Sequence, residues 1–394
     1  MLLFHVLLFI RLRDKVVEGY SDFASFYAAG RIVGAGKGHE LYNLNRQFQV
    51  QQDFAPGVSI RKGPLPFYHP PFEALLFVPF SLLPYAAAYY LWSALKLGFL
   101  WGMSFQWRKH VPRVFQFSAL APVLGVLAFF PAFADLLQGQ DAILLLLVYS
   151  FVYINLKGRR DFAAGAWLGL GMFKFHLVLP FLAILLLCRR LKAASGFLLA
   201  AAAVAAVSIA VAGWQSSLDY PALLFRINQN AGAAGIFPLD MPNLRGLLAG
   251  VLGVQTLPSF LGLLALSGLA VVGAAHLWKR PDSGSDHLDL AFSLAVVTTV
   301  LVGYHTMTYD LSLLILPVLL VTNYGLGDGA RLRNHFALIA PVVLLFFPPL
   351  YLLLHSRYNR LHLFALVLVL WAVALAREIT WNVTAAAGPT PAQP

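Results

Sequence analysis

From about residue 72 onward the chain alternates long apolar runs with short polar breaks, and only the first 70 residues depart from that rhythm. The run from Ser195 to Gly213 carries no charged side chain. Wound as a helix, such a run spans the roughly 30 Å hydrocarbon core of a bilayer. In lipid each backbone N–H and C=O must be satisfied internally, which leaves helices and closed barrels. Barrel strands alternate apolar and polar residues, and these runs do not, so they predict helices. Spans are expected over 115–134, 142–155, 195–213, 258–277, 290–304, 311–322, 336–354 and 363–376. Residues 72–83 and 85–105 form one crossing broken at Pro84, its shorter piece lying in or re-entering the interface. Residues 162–173 and 177–188 form a hairpin around Lys174-Phe175-His176. The fold class is therefore all-α and polytopic, with about a dozen transmembrane helices. Residues 1–387 are expected to be a single multi-pass domain, and the proline-rich 388–394 a disordered tail.

Residues 11–70 read as an external loop carrying interfacial helices. Phe23, Phe26, Tyr27, Gly30 and Val33 lie on a helical stripe, which predicts a helix over 21–34 capped by Ser21 or Asp22. Asn43 or Asn45 would cap a second helix ending near Gln52, after which Pro64, Pro66, Pro70 and Pro71 force an extended path. The apolar run Met1 to Ile10 is too short to cross a bilayer. Either its helix continues past Arg11, Arg13 and Lys15 or the natural start lies upstream.

Composition sharpens this picture. The chain is 59% hydrophobic and 11% charged, whereas a soluble protein carries about a quarter charged residues. A net charge of +11 then reflects cytoplasmic anchoring and anionic lipid rather than nucleic acid. Cys188 is the single cysteine and excludes an internal disulfide; a structural thiol is expected. Arg108-Lys109-His110, Lys157-Gly158-Arg159-Arg160, Arg189-Arg190-Leu191-Lys192, Lys279-Arg280 and Arg331-Leu332-Arg333 fall on alternate loops, which places them in the cytoplasm. Loops on the other face nevertheless carry Arg31, Arg46, Arg61, Lys62, Arg226, Arg245, Arg357 and Arg360. Basic residues there suggest a bound anion.

The notable polar clusters also fall at those outer ends: Tyr20 to Phe23, Tyr68 to Pro71, Gln138 to Asp141, Lys174 to His176, Met241 to Arg245, and Tyr304-His305 through Tyr309-Asp310. An ordered subset of residues carries a resemblance. It comprises Asp22-Phe23, Leu41-Tyr42, Tyr68-His69-Pro70-Pro71-Phe72, Gly139-Gln140, Gly165 to Gly171 leading to Lys174, and Arg189-Arg190, continuing weakly through Asn243 and His305. This set resembles the polyprenol-phosphate-mannose-dependent enzymes of glycosyltransferase family 87, in the GT-C membrane superfamily. The Tyr-His-Pro-Pro form departs from the more usual Tyr-Pro-Pro at His69.

The resemblance implies an inverting transfer of a sugar, typically mannose, from a polyprenyl phosphate to an extracytoplasmic glycan or glycolipid. The enzyme would be embedded in the plasma (inner) membrane among its lipids, with no nucleic-acid partner. Asp22 is the expected general base. Lys174, His305 and Arg245 are expected at the phosphate with Arg226 behind them, and Tyr68, His69, Gln140, Asn243 and Asp310 complete the substrate-binding set. No cofactor or metal is expected, because basic side chains can answer a monophosphate and no Asp-x-Asp pair is present. Plainer roles compete: Asp22 as a helix N-cap, Lys174 as a snorkelling lysine, Asn243 and Arg245 as cap and anchor of a surface helix, His176 and His305 as interfacial histidines, and Gly165, Gly169 and Gly171 as close-packing glycines. A secondary transporter or lipid flippase is the alternative function, and an inactive scaffold subunit a third. A transporter would show an internal repeat or ionisable groups at span centres; no repeat is found, and most span centres are uncharged.

Overall fold

A computed structural model describes residues 1–58, 64–116, 118, 120–229, 237–279, 285–327 and 335–386. Arg61, Lys62, Arg280, Arg331, Arg333 and the tail 388–394 lie outside the described residues. Within them the regular structure is helical throughout. Five stretches are long and apolar enough to cross a membrane, Asp161–Leu187, Leu191–Ile227, Leu257–Trp278, Thr308–Gly325 and Leu361–Asn382, or up to seven if two bent pairs count as one span each. That is fewer than the dozen expected, because several apolar runs are broken. Ala121–Ala128 and Phe130–Gln138 meet at 68°, where Phe129 is extended and Pro131 opens the second helix. The expected loop after residue 213 is instead helical: Leu191–Gln229 runs on through a kink at Gly213 (φ 81°).

The hairpin is present. Arg190 Nη1 donates to Asp161 Oδ1 at 2.9 Å, so both ends of the stretch Asp161–Leu187 meet. Its arms, Asp161–Leu170 and Phe175–Leu187, are about 15 and 20 Å long at the helical rise. Neither crosses a 30 Å core, so Asp161–Leu187 folds back despite a length and apolarity that would suffice for a crossing, and the tip at Gly171–Lys174 stands inside the bundle. Gly165 and Gly169 let the first arm lie against the start of Leu191–Gln229: a Cβ on either would collide with the Ala193 or Phe197 carbonyl.

The first loop packs into the bundle. The Phe23–Gly34 helix forms, but it is buried on nearly every side, from Phe23 through Gly30 and at Ile32. Its aromatic stripe packs on Phe77, Tyr85 and Tyr89, with Gly30 on the same stripe against the Phe77 backbone, and the alanines of its other faces are buried as well. The next helix, Leu44–Phe54, is capped by Asn43, which accepts from the Arg46 N–H. Two of its side chains hold the proline-rich path that follows. Gln47 bonds the Leu41 carbonyl and the Phe67 N–H, and Gln51 bonds both backbone groups of Leu65. An extended segment with few donors of its own is thus kept as if paired.

The basic loops gather at one end of the bundle. His110 packs on Tyr153, Lys157 pairs with Asp289 at 2.8 Å, Arg190 lies over Trp278, and Arg113 bonds Asn323. The polar clusters gather at the other end.

Candidate active site

Asp22 precedes the Phe23–Gly34 helix in the N-cap position, yet its side chain makes no capping bond. Oδ2 instead accepts from Gln140 Nε2 at 2.8 Å, and the Asp22 N–H donates to Gln138 Oε1 at 3.2 Å. The first loop and the turn at 138–141 therefore meet at this carboxylate.

That turn is fixed from beneath. Gly139 ends the Phe130–Gln138 helix in the left-handed region (φ 66°), which glycine reaches without a Cβ penalty. Its Cα lies so close to Phe23 that an added Cβ would stand 2.6 Å from the Phe23 Cβ. Trp92 Nε1 donates to the Gly139 carbonyl and the Tyr89 hydroxyl to that of Leu136. Lys96 spends its three donors on Asp135 Oδ1, the Asp135 carbonyl and the Gln140 carbonyl, at 3.0, 3.0 and 2.9 Å. Asp135 Oδ2 in turn accepts from the Ala142 N–H. Both members of this ion pair are wholly buried. Gly139→Ala combines a disfavoured φ with that clash and would shift Gln140 away from Asp22. A displacement of about 1 Å costs on the order of 100-fold in rate, so sugar transfer is expected to fall by about that factor, read by initial rates on protein whose monodispersity in detergent is unchanged.

Asp141 opens the Ala142–Lys157 helix beside Gln140 and leads into a buried network. Lys174, at the hairpin tip and 3% exposed, pairs with Asp141 Oδ1 at 2.7 Å and Asp310 Oδ1 at 2.9 Å, and its ammonium lies 5.0 Å from the Tyr309 ring centre. Asp310 Oδ2 accepts from the Met307 N–H. Tyr309 also lies within electrostatic reach of Asp22. On the other flank of Asp141, His69 Nδ1 stands 3.7 Å from Oδ2 and 2.8 Å from Glu73 Oε2. Burial, then the neighbouring Asp141, push the Glu73 carboxyl well above the usual carboxylate range. Burial would raise Asp141 as well, but Lys174 and His69 outweigh it and draw it down to about 2. His69 is lowered to about 4 by burial and by Lys174, against Asp141. Its backbone is held by Tyr42, whose hydroxyl donates to the His69 carbonyl, while Tyr220 donates to that of Tyr68.

Beyond His176, whose ring centre lies 6.4 Å from that of His305, comes a second group. Arg245 stacks 3.9 Å over Tyr304 and donates to its carbonyl and to His305. Burial and Arg245 lower His305 to about 3. Asn243, fully buried, caps the Leu244–Leu252 helix through the Gly246 N–H and donates to the Gly303 carbonyl. It positions Arg245 against the His305 loop.

The expected residues Asp22, Gln140, Lys174, Asp310 and His69 thus converge, with Tyr68 adjoining, while Arg245, His305 and Asn243 form the neighbouring group. Arg226 instead lies exposed on the outer half of Leu191–Gln229. Sequence reasoning passed over Glu73, Asp141, Lys96 and Asp135 as individual groups. A lysine within an otherwise uncharged apolar helix was the signal for Lys96, since a charge there demands a partner.

Two cavities flank the cluster. An apolar groove of about 360 Å³, lined by Pro70, Pro71, Phe72, Phe175, Trp214 and Tyr220 among others, begins beside His69 and Lys174. A second, of about 500 Å³ and more polar, is lined by Arg245, Tyr304, Gln255, Thr256 and Ser259 among others.

No curated protein and no solved structure matches the chain. Residues 67–304, more than half of it, match glycosyltransferase family 87. The matched segment takes in Tyr68, His69, Gln140, Lys174, Arg226, Asn243 and Arg245 and leaves Asp22, His305 and Asp310 outside it. With apolar helices able to span a membrane and polar side chains converging at one end of them, the chain belongs to glycosyltransferase family 87 and is a membrane glycosyltransferase.

Proposed function

We propose that the protein transfers a sugar, mannose by the resemblance of its motifs, from a polyprenyl phosphate to a hydroxyl of an extracytoplasmic glycan or glycolipid, with inversion and with Asp22 as general base. One observation carries this reading above the rest. The Asp22 carboxylate is engaged by Gln140 instead of capping its own helix, in a polar cluster beside an apolar groove. A base needs to be held and aimed; a helix cap needs neither Gln140 nor the pinned turn beneath it.

In this reading the prenyl chain lies in the groove, whose walls include Trp214, 63% exposed on the outer surface of the bundle. A lateral opening suits a ligand that arrives within the bilayer. The phosphate then comes to rest near Tyr68, His69 and the Lys174 tip. The acceptor oxygen attacks the anomeric carbon, its proton passes to Asp22, and the bond from that carbon to the phosphate oxygen breaks with its electron pair leaving on polyprenyl phosphate. Lys174 is already answered by Asp141 and Asp310, so it adds little net charge for the departing phosphate and chiefly holds the cluster in place. Arg245 and His305 serve the anionic group of whichever substrate enters the second cavity. The cluster lies opposite the basic end, which by charge bias is cytoplasmic, so the reaction is assigned to the outer face of the plasma membrane.

The test is donor chain length. Ala205 lines the groove, and Ala205→Trp would fill it. KM is expected to rise by about tenfold or more for a long-chain polyprenyl-phosphate sugar, a loss of about 1.4 kcal/mol of binding, and to change little for a short-chain analogue. Equal KM changes for the two donors would remove the groove from the donor site.

A further inference from the structure

We propose that His69, Glu73 and Asp141 form a binding site for one divalent cation. His69 and Glu73 stand four residues apart at the start of the Pro71–Leu76 helix, and Asp141 stands at the start of Ala142–Lys157. One ligand atom from each lies within 4.8 Å of the others, with His69 Nδ1 at 2.8 Å from Glu73 Oε2 and 3.7 Å from Asp141 Oδ2. Atoms bound to a common ion at about 2.0–2.2 Å and spread by about 90–110° are about 3.0–3.5 Å apart. The two separations from His69 bracket that range.

A second observation points to a ligand. Glu73 is 2% exposed, and among the described residues its Oε1 has no hydrogen-bond partner. A buried carboxylate oxygen without a donor is costly. Asp141 adds to it: its Oδ1 is taken by Lys174 at 2.7 Å, whereas Oδ2 is turned toward His69. Lys174 thus answers Asp141 and Asp310 from one side and does not reach Glu73 within ion-pair distance. A cation between Glu73, Asp141 and His69 would supply the missing positive charge. The bracing argues likewise for a preformed site: Tyr42 fixes the His69 backbone, and Lys96 with Asp135 fixes the turn before Asp141. One imidazole with two carboxylates suits Mn²⁺, Fe²⁺ or Zn²⁺, whereas Mg²⁺ favours oxygen alone. Pro70, Pro71 and Phe72, which lie between His69 and Glu73 in the chain, line the neighbouring groove. Resting on the polyprenyl-phosphate reading, the ion's further role is to hold an oxygen of the donor phosphate there. The competing arrangement is a proton shared between Glu73 and Asp141.

The experiment titrates Mn²⁺ alone into chelator-treated, full-length protein in detergent, following free Mn²⁺ by electron paramagnetic resonance. One Mn²⁺ per chain is expected. Glu73→Gln and His69→Gln, checked for folding by thermal melts, should each bind at least about tenfold more weakly, the loss that even an outer-shell change produces. Asp240→Asn, remote from the cluster, should bind as wild type. Absence of saturable binding up to about 1 mM, weaker than about 4 kcal/mol of binding free energy, would overturn the proposal in favour of the shared proton. So would wild-type binding in either glutamine variant. Because this measurement uses no sugar donor, Mn²⁺ binding lost in Glu73→Gln would stand even if no transfer from a polyprenyl phosphate were ever seen.

Discussion

Asp22→Asn is expected to lower sugar transfer by about 10²–10⁴-fold, the span of a positioned general base, without unfolding the protein. The substitution discriminates because it preserves almost everything except the charge and basicity. Asparagine is as good an N-cap as aspartate, it fills the same volume, and its amide oxygen still accepts from Gln140 Nε2. The Asp22 N–H bond to Gln138 is a backbone bond and is untouched. A residue that merely starts the Phe23–Gly34 helix would therefore show no effect. Initial rates on purified protein, beside a melting curve in the same detergent, measure both quantities. Wild-type rates in the variant would move the base elsewhere.

Lys174→Met produces the second large effect, and it falls on stability first. Lys174 is 3% exposed and the carboxylates of Asp141 and Asp310 facing it are 0 and 1% exposed. Removing the cation leaves two carboxylates buried without their partner, and breaking a buried pair in this way costs about 3–5 kcal/mol. Unfolding in detergent should show that loss, and sugar transfer should fall with it because Asp141 no longer anchors the turn that holds Gln140. Lys174→Met with Asp310→Asn removes one of the stranded charges and should recover part of the stability. Were Lys174 a snorkelling lysine at a helix end, the methionine would be nearly neutral and the double variant no better than the single.

The parts of the fold legible in the sequence were those written locally. The hairpin was readable because Lys174 sits between two runs too short to cross, and the helix at 21–34 because its aromatics recur with helical period. What escaped was set by tertiary packing. The Phe23–Gly34 stripe looks like the single buried face of an amphipathic helix until Ala24, Ala28 and Ala29 are seen to be buried as well, and small residues read as neutral in any one-dimensional pattern. Mean hydropathy is blind to the breaks at Phe129 and Phe347, where the chain bends by 68° and 66°, and to the continuation of the helix past Gly213. The site shows the same division. Asp22, Gln140, Lys174 and His69 carried motif signals and do converge. Glu73 carries none, lying in an apolar stretch after two prolines, and gains meaning only because the fold brings Asp141 and His69 to it. Lys96 and Asp135 lie thirty-nine positions apart, a distance over which pattern offers no pairing rule, although each was a charge in or beside a span and in need of a partner.

The most direct test of the central claim is transfer itself. Purified wild-type protein is incubated with a cell lipid extract and sugar-labelled polyprenyl-phosphate mannose, and in parallel with the same sugar as a nucleotide conjugate. Label is expected to pass from the lipid donor alone into a glycan or glycolipid, with the anomeric configuration of the new bond opposite to that in the donor. Transfer from the nucleotide sugar, or retention of configuration, would contradict the account.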